Sequence, residues 1–242
     1  MMIKSKIISI IAVVTLLSFW FWVAAEPWVH SATKFRDPSL WIFPAIMLVV
    51  LSAVTAVAYM LLPQKRLKML LALLIGGTYL AIFGRHYLQI LVLFIIPLFH
   101  VFAIRHIQLE SKERLKIHPG FIIRRGIAMV MVPLYIALSF AYFQSPSIHE
   151  NARDEQTAPT FKQVVQNYVI EQAYDQAMHQ LVPYRAYFPP VFAFVLFLVL
   201  LGLGFVFHRI SAWIGILLFW LLRKLQFVKI VEVDTKAENI AM

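Results

Sequence analysis

Six apolar runs constrain this chain more than any other feature. They cover residues 7–25, 40–62, 67–84, 87–104, 127–143 and 191–207, and apart from Lys68 at the very start of the third none holds an Asp, Glu, Lys or Arg. A hydrocarbon core about 30 Å thick is crossed by about 17–25 helical residues. A backbone inside lipid must satisfy its own hydrogen bonds, so each run reads as a transmembrane helix. Composition agrees. Hydrophobic residues make up 61% of the 242 residues and charged residues 14%. An average soluble domain has about 45–50% and about 25%. A soluble globule of this size cannot hide that much apolar surface. The expected class is an all-α polytopic membrane bundle of about six transmembrane helices.

A seventh run, 210–222, has 13 residues and follows directly on His208 and Arg209. That length is short for a span and suits an interfacial segment. The expectation is therefore a helix lying along the inner leaflet. Trp213 and Trp220, seven residues apart, would share its lipid-facing side.

Charge sorts by loop. If Lys4 and Lys6 lie in the cytoplasm, 16 of the 22 basic residues fall inside and 6 outside, giving net charges of +11 and −1. Spanning by 210–222 would move Arg223, Lys224, Lys229 and Lys236 outside, against the positive-inside tendency. The expected topology has both termini cytoplasmic, in a prokaryotic plasma membrane. The overall charge of +10 is then an orientation signal rather than a nucleic-acid signal. Arg124 and Arg125, next to Phe121-Ile122-Ile123, would meet anionic headgroups at the inner face. The N-terminus keeps an alternative: Lys4 and Lys6, an apolar run and Val23-Ala24-Ala25 also fit a cleaved signal peptide, which would leave five spans.

The organisation is thus a five-helix region over 1–143 with a basic loop at 105–126, an outer insertion at 144–190, and a last span with its basic tail over 191–242. Within the insertion, Thr160-x-x-Gln163 has the capping-box pattern and Pro183 lies beyond, so 161–182 reads as an amphipathic helix. Phe161, Val165 and Tyr168 mark one side, with Val164 beside them. Ile170, Tyr174, Met178 and Leu181 mark nearly the opposite side at 100° per residue. Two apolar sides call for two covering surfaces, so these seven residues are the candidate interface with a protein partner or a second copy. In the tail, 227–234 alternates apolar and polar residues, a pattern that suits strand addition to a partner's sheet.

Chemical motifs are scarce. There is no cysteine, which removes disulfides, thiolate metal sites and a cysteine nucleophile. No histidine spacing or nucleotide-binding pattern suggests a metal or another cofactor, and none is expected. His100 is the one ionisable group well inside a span, which makes it the candidate intramembrane polar site. No second span offers it a carboxylate relay. Pro44, Pro97 and Pro133 could kink helices around a transport path, or simply be tolerated in membrane helices. Gly76-Gly77 and Gly202-x-Gly204 could break helices around a ligand, or permit close packing.

The first functional expectation is a non-catalytic membrane subunit, scaffold or assembly factor. A small-solute transporter or channel without charged intramembrane residues is the alternative. A membrane-embedded lipid-active enzyme using His86, His100 or His106 is the third.

Overall fold

The computed structural model describes residues 2–31, 37–84, 86–112, 119–145 and 187–228. It is all-helical there: α1 Met2–His30, α2 Pro38–Leu61, α3 Lys65–Phe83, α4 Tyr87–Lys112, α5 Pro119–Phe143 and α6 Phe188–Lys224. All six are long and apolar enough to cross a membrane. The chain is a multi-pass membrane protein. Residues 161–182 and 229–242 fall outside the described residues. So do the seven candidate interface residues Phe161, Val165, Tyr168, Ile170, Tyr174, Met178 and Leu181, and most of the alternating tail.

One expectation is corrected. The run 210–222 is not a separate helix along the inner leaflet. It is the second half of α6, which continues without interruption for 37 residues, about 55 Å. The physical reason is that nothing stops it. Residues 205–214 contain neither proline nor glycine, so His208 and Arg209 change polarity without changing backbone preference. Neighbours then hold the second half upright. The Ser211 hydroxyl donates to the Val49 carbonyl of α2 at 3.0 Å. A Cβ on Gly215 would lie 3.7 Å from the Ala53 carbonyl and 3.0 Å from Ile123 Cγ2 of α5. Both α2 contacts pair residue i with i+162, so α2 and α6 run parallel and in register. Trp213 and Trp220 do share one exposed side, at 67% and 56% exposure.

Helix ends follow local rules. Asp37 caps α2, its carboxylate accepting from the Ser39 N–H at 2.9 Å and the Ser39 hydroxyl at 2.7 Å. The hydroxyl first, and the N–H second, hold the Asp37 carboxyl below the usual carboxylate range. At the other end of α6 the Gln226 N–H bonds to the Arg223 carbonyl and the Phe227 N–H to the Leu222 carbonyl. That pair defines a Schellman cap, with Gln226 in the left-handed position at φ 56°.

The bundle is tied at both ends by long-range polar contacts. At one end His30 Nδ1 meets the Ser145 hydroxyl at 3.2 Å, and His86 Nδ1 meets the Gln144 amide. At the other end Lys6 Nζ donates to the Phe227 carbonyl at 3.0 Å. The core between them is apolar and aromatic. Trp22 is fully buried, with its ring 5.0 Å from that of Tyr79 and 6.1 Å from that of Phe83. The helix α1 therefore packs as an integral element, and it runs unbroken past Ala25 and through Pro27.

Candidate functional site

The expected polar residue His100 lies in the middle of the packed bundle. Its side chain is 0% exposed. Helix α4 carries it because 87–112 is apolar at nearly every position up to Ile104, so the whole segment stays helical through Pro97. The spacing then turns His100 inward with the buried Val92, Ile96, Ala103 and Ile107. Across the interface, α2 presents Tyr59, also 0% exposed. Its hydroxyl lies 2.6 Å from His100 Nδ1, and the two rings meet edge-on at 5.5 Å.

The chemistry of this pair is that of an interhelical clamp. A neutral imidazole has one donor and one acceptor nitrogen. If the Tyr59 hydroxyl donates to Nδ1, the proton sits on Nε2. That nitrogen is buried and makes no hydrogen bond. The pair thus joins α2 to α4 and leaves one ring nitrogen without a partner.

A second polar contact joins α1 to α3. The Ser18 and Thr78 hydroxyls are 2.7 Å apart, and Thr78 also donates to the Ile75 carbonyl at 2.8 Å. Other buried polar atoms stand without hydrogen-bond partners: Thr55 Oγ1, Tyr79 Oη and Gln89 Oε1. Sequence reading missed Tyr59 as the partner of His100. The available signal was a tyrosine within an otherwise apolar span, since a buried phenol needs a partner. It also counted Lys68 with the basic residues of an inner loop, 63–68, whereas Lys68 belongs to the first turn of α3 and is buried at 4% exposure.

Helices α2, α4 and α5 run on through Pro44, Pro97 and Pro133, and Pro44 lines one of the two cavities described below. Gly76 is a close-packing position: a Cβ there would lie 3.2 Å from Leu93 Cδ1 and 3.8 Å from the Leu93 carbonyl. That carbonyl is the acceptor that Pro97 cannot bond. Gly204 likewise lets the Tyr135 hydroxyl approach, at 3.2 Å from a built Cβ, while Gly77 and Gly202 face open space. Among the described residues, no three His, Asp or Glu side chains gather as a metal site.

Two cavities lie on the outside of the bundle. Helices α1 and α6 both pack on α2 but scarcely on each other. Between them a cavity of about 200 Å³ is lined by Phe21, Trp28, Trp41, Leu48, Leu203 and Phe207, among others. Nearer the basic end a cavity of about 280 Å³ is lined by Ile10, Val13, Val57, Ala58, Leu222 and Phe227, among others. The lining of both is almost wholly apolar. The chain matches no protein-family model, no curated protein and no solved structure.

Proposed function

We propose that this chain is a non-catalytic subunit, scaffold or assembly factor of a membrane complex. In this reading it sits in a prokaryotic plasma membrane with both termini cytoplasmic, and anionic headgroups flank its basic ends. The observation that carries the reading is the treatment of His100. This fully buried imidazole is engaged by Tyr59 at 2.6 Å and lies in neither described cavity. A side chain used this way holds helices together.

Crosslinking in native membranes followed by affinity purification tests the reading. A defined protein that crosslinks to this chain in stoichiometric yield supports it. Recovery of the chain alone, at every crosslinker length, counts against it. Orientation has a direct test because the chain has no cysteine. A single cysteine replacing Lys229 should react with a membrane-impermeant maleimide only after the cells are opened, and one replacing Lys34 should react in intact cells.

A small-solute path is the second reading. The partnerless buried atoms Thr55 Oγ1, Tyr79 Oη and Gln89 Oε1 favour it, because a transient ligand or water would satisfy them. Solute flux in proteoliposomes that is lost in Thr55→Val would move the assignment there.

A further inference from the structure

We propose that the cavity at the basic end of the α1/α2/α6 furrow is a binding site for an anionic phospholipid, which places one acyl chain in the cavity and its headgroup phosphate at Lys6. The proposal goes beyond the subunit reading and stands without it.

The cavity is built by three helices. Ile10 and Val13 of α1 form one wall, Leu222 of α6 the other, and Val57 and Ala58 of α2 the floor. A lipid chain on a convex helical surface touches one side only. Here it would meet three, and dispersion contacts add with each surface. The lining, apolar but for Ser9, suits a hydrocarbon chain better than a polar solute.

The inner end of the cavity is edged by a specific piece of local structure. The Schellman cap turns the chain back after Lys224, so Phe227 returns to the level of Leu222. The Phe227 ring then lines the cavity. Lys6 Nζ stands over that ring, 4.6 Å from its centroid, and donates to the Phe227 carbonyl at 3.0 Å. An ammonium has three N–H donors. This carbonyl takes one and is neutral, so the charge of Lys6 is uncompensated by it. Arg223 and Lys224 sit on the last turn of α6, both exposed. Among the acids whose side chains are described, Glu26 and Asp37 belong to the opposite ends of α1 and α2. An apolar slot with cations at its mouth is complementary to a lipid with a negative headgroup and not to a zwitterionic one.

The test uses the full chain in phosphatidylcholine vesicles. They carry a small fraction of either phosphatidylglycerol or phosphatidylcholine with a diazirine on one acyl chain. After irradiation, labelled positions are mapped by mass spectrometry. The phosphatidylglycerol probe should label peptides containing Val13, Val57 and Leu222 about fivefold more than the phosphatidylcholine probe, a preference near 1 kcal/mol. The preference should vanish in Ala58→Phe, which fills the floor, and fall in Lys6→Gln, which changes only the mouth. Ala45→Phe, in the other cavity, should leave it unchanged. Equal labelling by both probes means bulk lipid only and overturns the proposal. So does a preference that survives both Ala58→Phe and Lys6→Gln, or a co-purified protein crosslinked into the cavity. If Ala58→Phe does not fold, Lys6→Gln decides alone.

Discussion

Two faces of α2 meet opposite environments. One face carries Tyr59 into a sealed interior, where it is 0% exposed and bonded to His100. The other face, with Val54, Val57 and Leu61, floors an open apolar cavity. Both stretches come from the same apolar run and share its hydropathy. The difference teaches that hydropathy places a helix in the membrane, but packing partners decide which side becomes a joint and which a surface. Inside a bilayer, burial against protein brings little hydrophobic gain, because lipid is equally apolar. Close packing and hydrogen bonds make the joint.

The largest expected effect separates these faces. Tyr59→Ala removes a large side chain from a closed interior and strands His100 Nδ1. It should destabilise the bundle by about 3–5 kcal/mol, as other buried aromatic truncations do. Val13→Ala, in the open cavity wall, should stay within about 0.5 kcal/mol. Unfolding of the purified protein in mild detergent, followed by tryptophan fluorescence, measures both. Equal losses at the two sites would mean that the cavity is as tightly packed as the core.

Glycine substitutions sharpen the comparison with a change of sign. At Gly126 a Cβ would lie 2.6 Å from Ile107 Cδ1 and 2.7 Å from Ile107 Cγ1. Ile107 is buried, so Gly126→Ala overpacks the α4/α5 joint and should cost about 1–3 kcal/mol. Gly202 has nothing within 4 Å of such a Cβ. Gly202→Ala should stabilise α6 by about 0.5–1 kcal/mol through the backbone alone. The same unfolding measurement, run on both variants, reads the two signs.

The architecture was legible where it depended on composition, and hidden where it depended on which faces meet. The six spans follow from runs of residues without charge, and all six became helices. The run 210–222 was misread because its length was counted from Arg209, as though a charge had to end a span. In the structure Arg209 stands exposed with its guanidinium 5.1 Å from the centre of the Phe205 ring, a cation–π arrangement that helps an arginine lie against an apolar surface. Ser211 and Gly215, small residues on the same side, supplied the contact with α2 that no length rule contains. The clamp was half legible. His100 stood out as an ionisable group in a span, but Tyr59 lies 41 residues away, and helical periodicity does not say which helices touch.

A smaller effect isolates the hydrogen bond of that clamp from its packing. Tyr59→Phe keeps the ring and removes the hydroxyl. Interhelical hydrogen bonds in membranes average about 0.6 kcal/mol and reach about 1.7. The loss should fall in that range, well below that of Tyr59→Ala. A double-mutant cycle with His100→Leu should return a coupling of the same size. A coupling near zero would assign the stabilisation to ring packing and leave the 2.6 Å contact as a bystander.

The smallest effect lies at the end of the furrow. Gln226 holds the left-handed position of the α6 cap at φ 56°, a conformation that glycine adopts without the Cβ penalty. Gln226→Gly should therefore stabilise the cap, by about 1 kcal/mol or less. Because it preserves the Schellman bonds, it should keep Phe227 beside Leu222 and Lys6 beside Phe227, leaving the lipid preference unchanged. Gln226→Val should act oppositely. A β-branched residue resists positive φ, so the cap opens, Phe227 leaves the cavity, and Lys6 loses both its carbonyl and its ring. Stability would hardly move, since the last turn of a helix frays at little cost. The preference for an anionic lipid would move most. A variant that changes lipid selectivity without changing unfolding separates the open face of α2 from its sealed one, because no substitution at the His100 clamp can do the same.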